Sequence, residues 1–173
     1  MSAPNNSVSR LKQGTAAGAI LVTVLTGFEG VRTHAYPDPA TGGKPWTICM
    51  GQTAGVHPGM VKTLAECKAD LYATIPKYAA PIAQCAKVPL PDKRFIAFVS
   101  LAWNIGPGKA CASKAMQLIN AGRVAAGCEA FMKYVYAAGI KFPGLVKRRA
   151  AERALCLEPI SPSNPVGVAT WTP

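Results

Sequence analysis

The chain has 173 residues, half of them hydrophobic, which suits one globular domain with its own core better than two small ones. Against 19 Lys and Arg stand only 8 Asp and Glu, a net charge of +11, so polyanions are the expected partners: nucleic acid, anionic membranes or bacterial wall polymers. No basic recognition helix, aromatic sheet motif or zinc module is present, and nucleic acid is therefore not the expected partner.

Residues 1–12 read as a polar leader that turns basic at Arg10 and Lys12. The next stretch, Gln13 to Phe28, contains no charged residue, the shape of a signal peptide or membrane anchor. Its 16 residues fall short of the roughly 20 that a span requires, and Gly, Thr and Ala dilute its hydrophobicity. A short apolar run of this kind also suits a helix packed on the domain core, and both readings stand at this point.

From His34 to about Met60 the chain is rich in Gly, Pro and Thr. "PDPATGG" supplies turn chemistry and "PWTICMG" a short strand, which together predict a small β-hairpin region. The remainder reads as helical. "TLAECKADLYATI" opens with Thr63 three residues before Glu66, a capping-box signature. "DKRFIAFVSLAWNIG" begins with Asp92 as the expected N-cap and runs almost continuously apolar to Gly106, the pattern of a buried central helix. Further helices are expected at about 113–121, 124–136 and 144–157. In the last of these, Lys147, Arg148, Arg149 and Arg153 cluster, a pattern read as a solvated basic face with a polyanion contact as the alternative. Residues 159–173 are proline-punctuated and are expected to make a tail without helix or strand.

Six cysteines, Cys49, Cys67, Cys85, Cys111, Cys128 and Cys156, are dispersed with no C-x-x-C pair, so neither a zinc site nor a dithiol redox motif is indicated. Such a set suggests disulfides in an oxidising compartment, with core thiols in a reducing one as the alternative. Fifteen pairings are open.

So few acids make a short list of candidate catalytic carboxylates. Glu66, Asp70, Asp92 and Glu129 are explained as helix-start or solvent-face residues, and Glu152 and Glu158 lie in or beside the basic C-terminal helix where ion pairs are available. Glu29 and Asp38 remain. Glu29 ends the apolar run, a setting that favours a protonated acid, whereas Asp38 sits in a polar turn between Pro37 and Pro39, where a carboxylate stays ionised. A protonated acid facing an ionised carboxylate is what glycoside hydrolysis needs, and Thr47 on the neighbouring strand offers a hydroxyl to hold water with Asp38. The plainer alternative makes Asp38 a turn residue and Thr47 an ordinary strand residue.

These residues also carry a resemblance. "FEGVRTHAYPD" followed by "PWTICMGQTAGV" resembles the glutamate, aspartate and threonine motif of the phage-type lysozymes, or endolysins, of glycoside hydrolase family twenty-four. "FVSLAWNIGPG" looks like that family's central helix and "FPGLVKRRAAERALC" like its closing arginine-bearing helix, so the likeness covers about Leu25 to Leu157. It implies an α+β lysozyme-like fold, a small β-hairpin lobe and a larger helical lobe flanking a substrate cleft, with residues 29–158 as the catalytic domain. It also implies Glu29 as general acid, Asp38 as second carboxylate, Thr47 as water-positioning residue and Asn104 as a substrate contact. The substrate implied is peptidoglycan, cut between N-acetylmuramic acid and N-acetylglucosamine by a monomer without metal or organic cofactor. A lytic transglycosylase on the same bond and a non-enzymatic cationic envelope-disrupting protein are the rival readings.

Two departures from the family pattern stand out: Gln52 occupies the position usually held by histidine, and "PATGGK" lengthens the turn between Asp38 and Thr47. The N-terminal segment resembles the signal-arrest-release segment of some endolysins, which implies transient tethering to the host inner membrane through residues 13–28 and release into the periplasm. On that reading the cysteines form periplasmic disulfides, with Cys49–Cys67, Cys128–Cys156 and Cys85–Cys111 as the favoured pairs. None of the six lies in the apolar segment, so a switch built on an N-terminal cysteine is not suggested.

Overall fold

In a computed structural model of the chain the described residues are 8–38, 42–137 and 139–158. The first seven residues of the expected leader and the expected tail at 159–173 lie outside them. The chain divides into two units, one formed by Leu11–Ile75 and the other by Met1–Arg10 with Pro76–Pro173.

The first unit begins with helix α1, Ala16–Glu29. Thr15 caps it, its hydroxyl accepting from the Gly18 N–H at 3.0 Å. Gly18 is required by a close approach, since a Cβ there would lie 2.3 Å from the Lys12 carbonyl oxygen. Ala17, Leu21 and Leu25, spaced by four, are buried together with Val22, while Thr23 and Gly27 face water. The apolar run therefore makes a one-faced core helix in this fold. No helix among the described residues is long and apolar enough to cross a membrane.

Strands β1, Arg32–Asp38, and β2, Gly43–Cys49, pair antiparallel, with Tyr36 opposite Thr47 and Pro37 opposite Trp46. The sheet gains a third segment that sequence patterning does not show. Ala35 N–H donates to the Met60 carbonyl and Lys62 N–H to that of Thr33, both at 2.9 Å, so residues 60–62 line the other edge of β1. Pairing on both edges leaves β1 without a free row of backbone donors.

Helix α2, Leu64–Cys85, starts with the expected capping box. The Thr63 N–H and hydroxyl donate to one Glu66 oxygen at 2.7 and 2.8 Å, and Glu66 N–H returns a bond to the Thr63 hydroxyl. The helix continues through Pro76 and Pro81 to Cys85 because Ile75, Ala79 and Ile82 keep a buried stripe at three- and four-residue spacing. The division between the two units falls inside this helix, at Pro76.

In the second unit α3, Asp92–Ile105, is the buried centre, with Phe95 through Ala102 almost without exposure. Its N-cap is Pro91, not Asp92. Asp92 is the first helical residue, and its carboxylate takes a bond from Arg10 Nη1 at 2.6 Å while the Arg10 guanidinium lies 5.0 Å over the Phe95 ring. Arg10, expected within the polar basic leader, is thus tied down. Short helices α4, Pro107–Cys111, α5, Lys114–Asn120, and α6, Val124–Glu129, follow. The single helix expected over 124–136 breaks into a 3-10 turn at Ala130–Lys133 and a two-stranded hairpin, β3 (Tyr136–Ala137) with β4 (Ile140–Lys141). Helix α7, Pro143–Leu157, packs against α3.

Three disulfides are formed, Cys49–Cys67 within the first unit and Cys85–Cys111 and Cys128–Cys156 within the second. These are the pairs expected from the placement of the cysteines, Cys85–Cys111 by exclusion.

Candidate active site

Glu29 is the last residue of α1. The helix stops there because Gly30 adopts φ 69° and ψ 177°, while its N–H closes the final turn on the Thr26 carbonyl at 3.0 Å. Helix end and strand start are separated by two residues, so the backbone of Glu29 is fixed from both sides. Its side chain is exposed. The apolar enclosure expected from the preceding run is not what the fold provides, because the buried stripe of α1 ends at Leu25.

Thr47 lies in β2 directly across from Tyr36, almost buried at 9% exposure and followed by the fully buried Ile48. The Tyr36 ring is held in turn by the Arg32 guanidinium, 4.3 Å from its centroid. Asp38 ends β1 opposite Gly43, past a register irregularity. The structure describes its backbone; its side chain and the turn at 39–41 lie outside the described residues. Glu29, Asp38 and Thr47 all belong to the first unit. Asn104 is the exposed penultimate residue of α3, in the second.

The other six acids are each engaged structurally. Glu66 serves the capping box, Asp70 pairs with Lys62, Asp92 with Arg10, Glu129 with Arg153 and Glu158 with Lys93. Glu152 is enclosed among Arg148, Arg149 and Ser100. None of the six is both exposed and placed at a helix–strand junction, as Glu29 is.

Around Gln52 the backbone closes a tight turn: Ile48 N–H donates to the Gln52 carbonyl at 2.9 Å and Gln52 N–H to that of Ile48 at 3.0 Å. The Gln52 Oε1 atom is buried without a hydrogen-bond partner among the described residues. Within the same turn Cys49 has φ 57°, a conformation its residue type gives no hint of.

The basic cluster of α7 is the clearest correction. Arg148 and Arg149 are buried, not a solvated face, and Arg153 forms a two-bond pair with Glu129 at 2.7 and 2.5 Å. Burial pushes the Arg149 guanidinium down to about 10 against the opposing pull of Glu152, and burial pushes the Glu152 carboxyl up. The three- and four-residue spacing of Arg149, Arg148 and Glu152 was the available sequence signal for this network.

A family model described as phage lysozyme matches residues 26–152. The chain is 32% identical over 143 residues to the SAR-endolysin of Enterobacteria phage P21, covering 82% of this chain and 87% of that protein. It is 34% identical over 159 residues to the SAR-endolysin of Bacteriophage PS119, covering 88% and 93%. Among solved structures, the endolysin from Escherichia coli O157:H7 phage FAHEc1 superposes with a TM-score of 0.75 at 26% identity, covering 87% of this chain and 99% of that one. The mostly helical α+β architecture with its small hairpin is thus that of a phage lysozyme, and the chain belongs to the phage lysozyme family.

Proposed function

We propose that this lysozyme is an endolysin that hydrolyses the β-1,4 bond between N-acetylmuramic acid and N-acetylglucosamine, with Glu29 as the acid that protonates the leaving oxygen. Asp38, helped by the Thr47 hydroxyl, orients and activates water or stabilises the oxocarbenium-like transition state, and Asn104 contacts the substrate. The observation that carries this reading is the placement of Glu29, exposed at the α1–β1 junction in the unit that also holds Asp38 and Thr47, inside the matched family region. The net charge of +11 suits an anionic wall polymer and raises encounter rates at low salt.

The test is the clearing rate of outer-membrane-permeabilised Gram-negative cells by purified protein, wild type against Glu29→Gln at matched fold and disulfide content. A fall of about two to four orders of magnitude is expected when a general acid is removed. Unchanged clearing would turn the reading to a non-enzymatic cationic protein, and anhydro-muramic product ends would turn it to a transglycosylase.

The same reading places the mature enzyme in the host periplasm, supported by three disulfides and by relatives named SAR-endolysins. It includes an earlier membrane-tethered state held by residues 13–28. Glu29 is the final residue of α1, so a lipid-embedded segment would withhold the acid from its place beside β1. A fusion of residues 1–30 that fails to sediment with membranes would remove this stage.

A further inference from the structure

We propose that the Cys49–Cys67 disulfide is a positioning device for Thr47: it holds the end of β2 in a conformation the backbone does not keep unaided, so that full activity follows oxidation. The proposal rests on the role given to Thr47 above.

Cys49 is the one non-glycine residue with positive φ among the described residues. In the left-handed region a Cβ crowds the following carbonyl, and Asn or Asp tolerate it through local side-chain hydrogen bonds that cysteine does not make. Yet Cys49 is the hinge of the Ile48–Gln52 turn, where two backbone bonds close the chain on itself over Gly51, itself at φ 89°. Relaxation of Cys49 to negative φ would pull that turn open. Thr47, two residues upstream and paired across the ladder with Tyr36, would then lose the anchored end of its strand.

What keeps Cys49 in place is its partner. Cys67 is fully buried in the first turn of α2, its N–H bonded to the Thr63 carbonyl at 3.0 Å and that turn fixed by the Thr63–Glu66 capping box. The disulfide ties the strained strand end to this rigid turn across a Cα–Cα distance of 5.2 Å. Neither of the other two disulfides involves a residue with positive φ. Closure requires the Cys49 and Cys67 thiols to give two protons and two electrons to a disulfide-bearing oxidant by thiol–disulfide exchange, the oxidant leaving as a dithiol. In a reducing compartment the device is open.

Full-length oxidised wild type is compared with Cys49→Ala/Cys67→Ala and Cys49→Gly/Cys67→Ala, reading both the clearing rate and amide hydrogen exchange at Ile48 and Gln52. The alanine pair should lose about a hundredfold in clearing, the scale of a displaced catalytic group, and should exchange quickly at both amides. The glycine pair, free to adopt positive φ without the crosslink, should recover most of both. An alanine pair equal to wild type, or a glycine pair no better than the alanine pair, overturns the proposal. Thr47→Ala separates the two claims. Full activity in that variant removes the role of Thr47 and this proposal with it, whereas lost activity there beside an unimpaired alanine pair overturns the positioning alone.

Discussion

Arg149 and Glu152 meet at 2.8 Å with neither side chain exposed to water, and Ser100 and Arg148 complete the enclosure of the same carboxylate at 2.6 and 3.2 Å. Burial works against both charges, and only their mutual pairing keeps them tolerable. Glu152→Gln leaves two buried guanidinium groups uncompensated and should cost about 3–5 kcal/mol. Replacing both partners, Arg149→Met with Glu152→Leu, should cost less, because only the Arg148 guanidinium is then left buried and uncompensated. Urea unfolding of the two variants checks the ordering, and a single variant no worse than the double would contradict it.

How much of this was legible beforehand follows from which rules are local. The capping box at Thr63, the apolar helix around Phe98 and the strand "WTIC" rest on nearest-neighbour patterns, and all three are where the sequence puts them. The hairpin of Tyr136 with Lys141 is two residues per strand, too short for any periodicity to register. Burial of Arg148 and Arg149 depends on α3 packing against α7 and bringing Ser100 to them, a tertiary fact that a charge run does not announce. Glu29 is exposed because the apolar run before it is one-faced, and a one-faced run does not enclose the residue at its end.

Gly30 is the second place where backbone conformation bears on the site. At φ 69° and ψ 177° it occupies a region open essentially to glycine alone, and an added Cβ would meet nothing within 4 Å. The penalty for Gly30→Ala is therefore purely conformational, about 1–3 kcal/mol. Since Glu29 directly precedes it, kcat should fall even well below the unfolding transition. An unchanged Tm would show that the chain accommodates the substitution at no cost.

Acid sensitivity has two identifiable surface sources. The Thr63 N–H and then its hydroxyl hold Glu66 below the ordinary glutamate value of 4.5, and the Arg153 hydrogen bond followed by its charge does the same for Glu129. A depressed folded pKa contributes stability that is fully present above 4.5 and is lost as pH falls through the folded value. Glu66→Ala and Glu129→Gln should each lower Tm modestly near neutrality, and the gap to wild type should close on acidification to about pH 3. A gap that persists at the acid end would assign the effect to something other than these carboxylates.

The Cys128–Cys156 disulfide joins α6 to α7 across 28 residues of sequence, with both cysteines fully buried. It crosslinks helices whose backbone is already unstrained, so its effect should fall on the stability of the second unit, through the entropy of the unfolded chain. Cys128→Ala/Cys156→Ala should cost about 2–5 kcal/mol in urea unfolding. Clearing measured well below the transition should stay close to wild type, in contrast to the alanine pair at Cys49 and Cys67. Equal losses of clearing in the two pairs, with both proteins folded, would mean that crosslinking as such supports activity, and that the left-handed backbone at Cys49 has no special part in it.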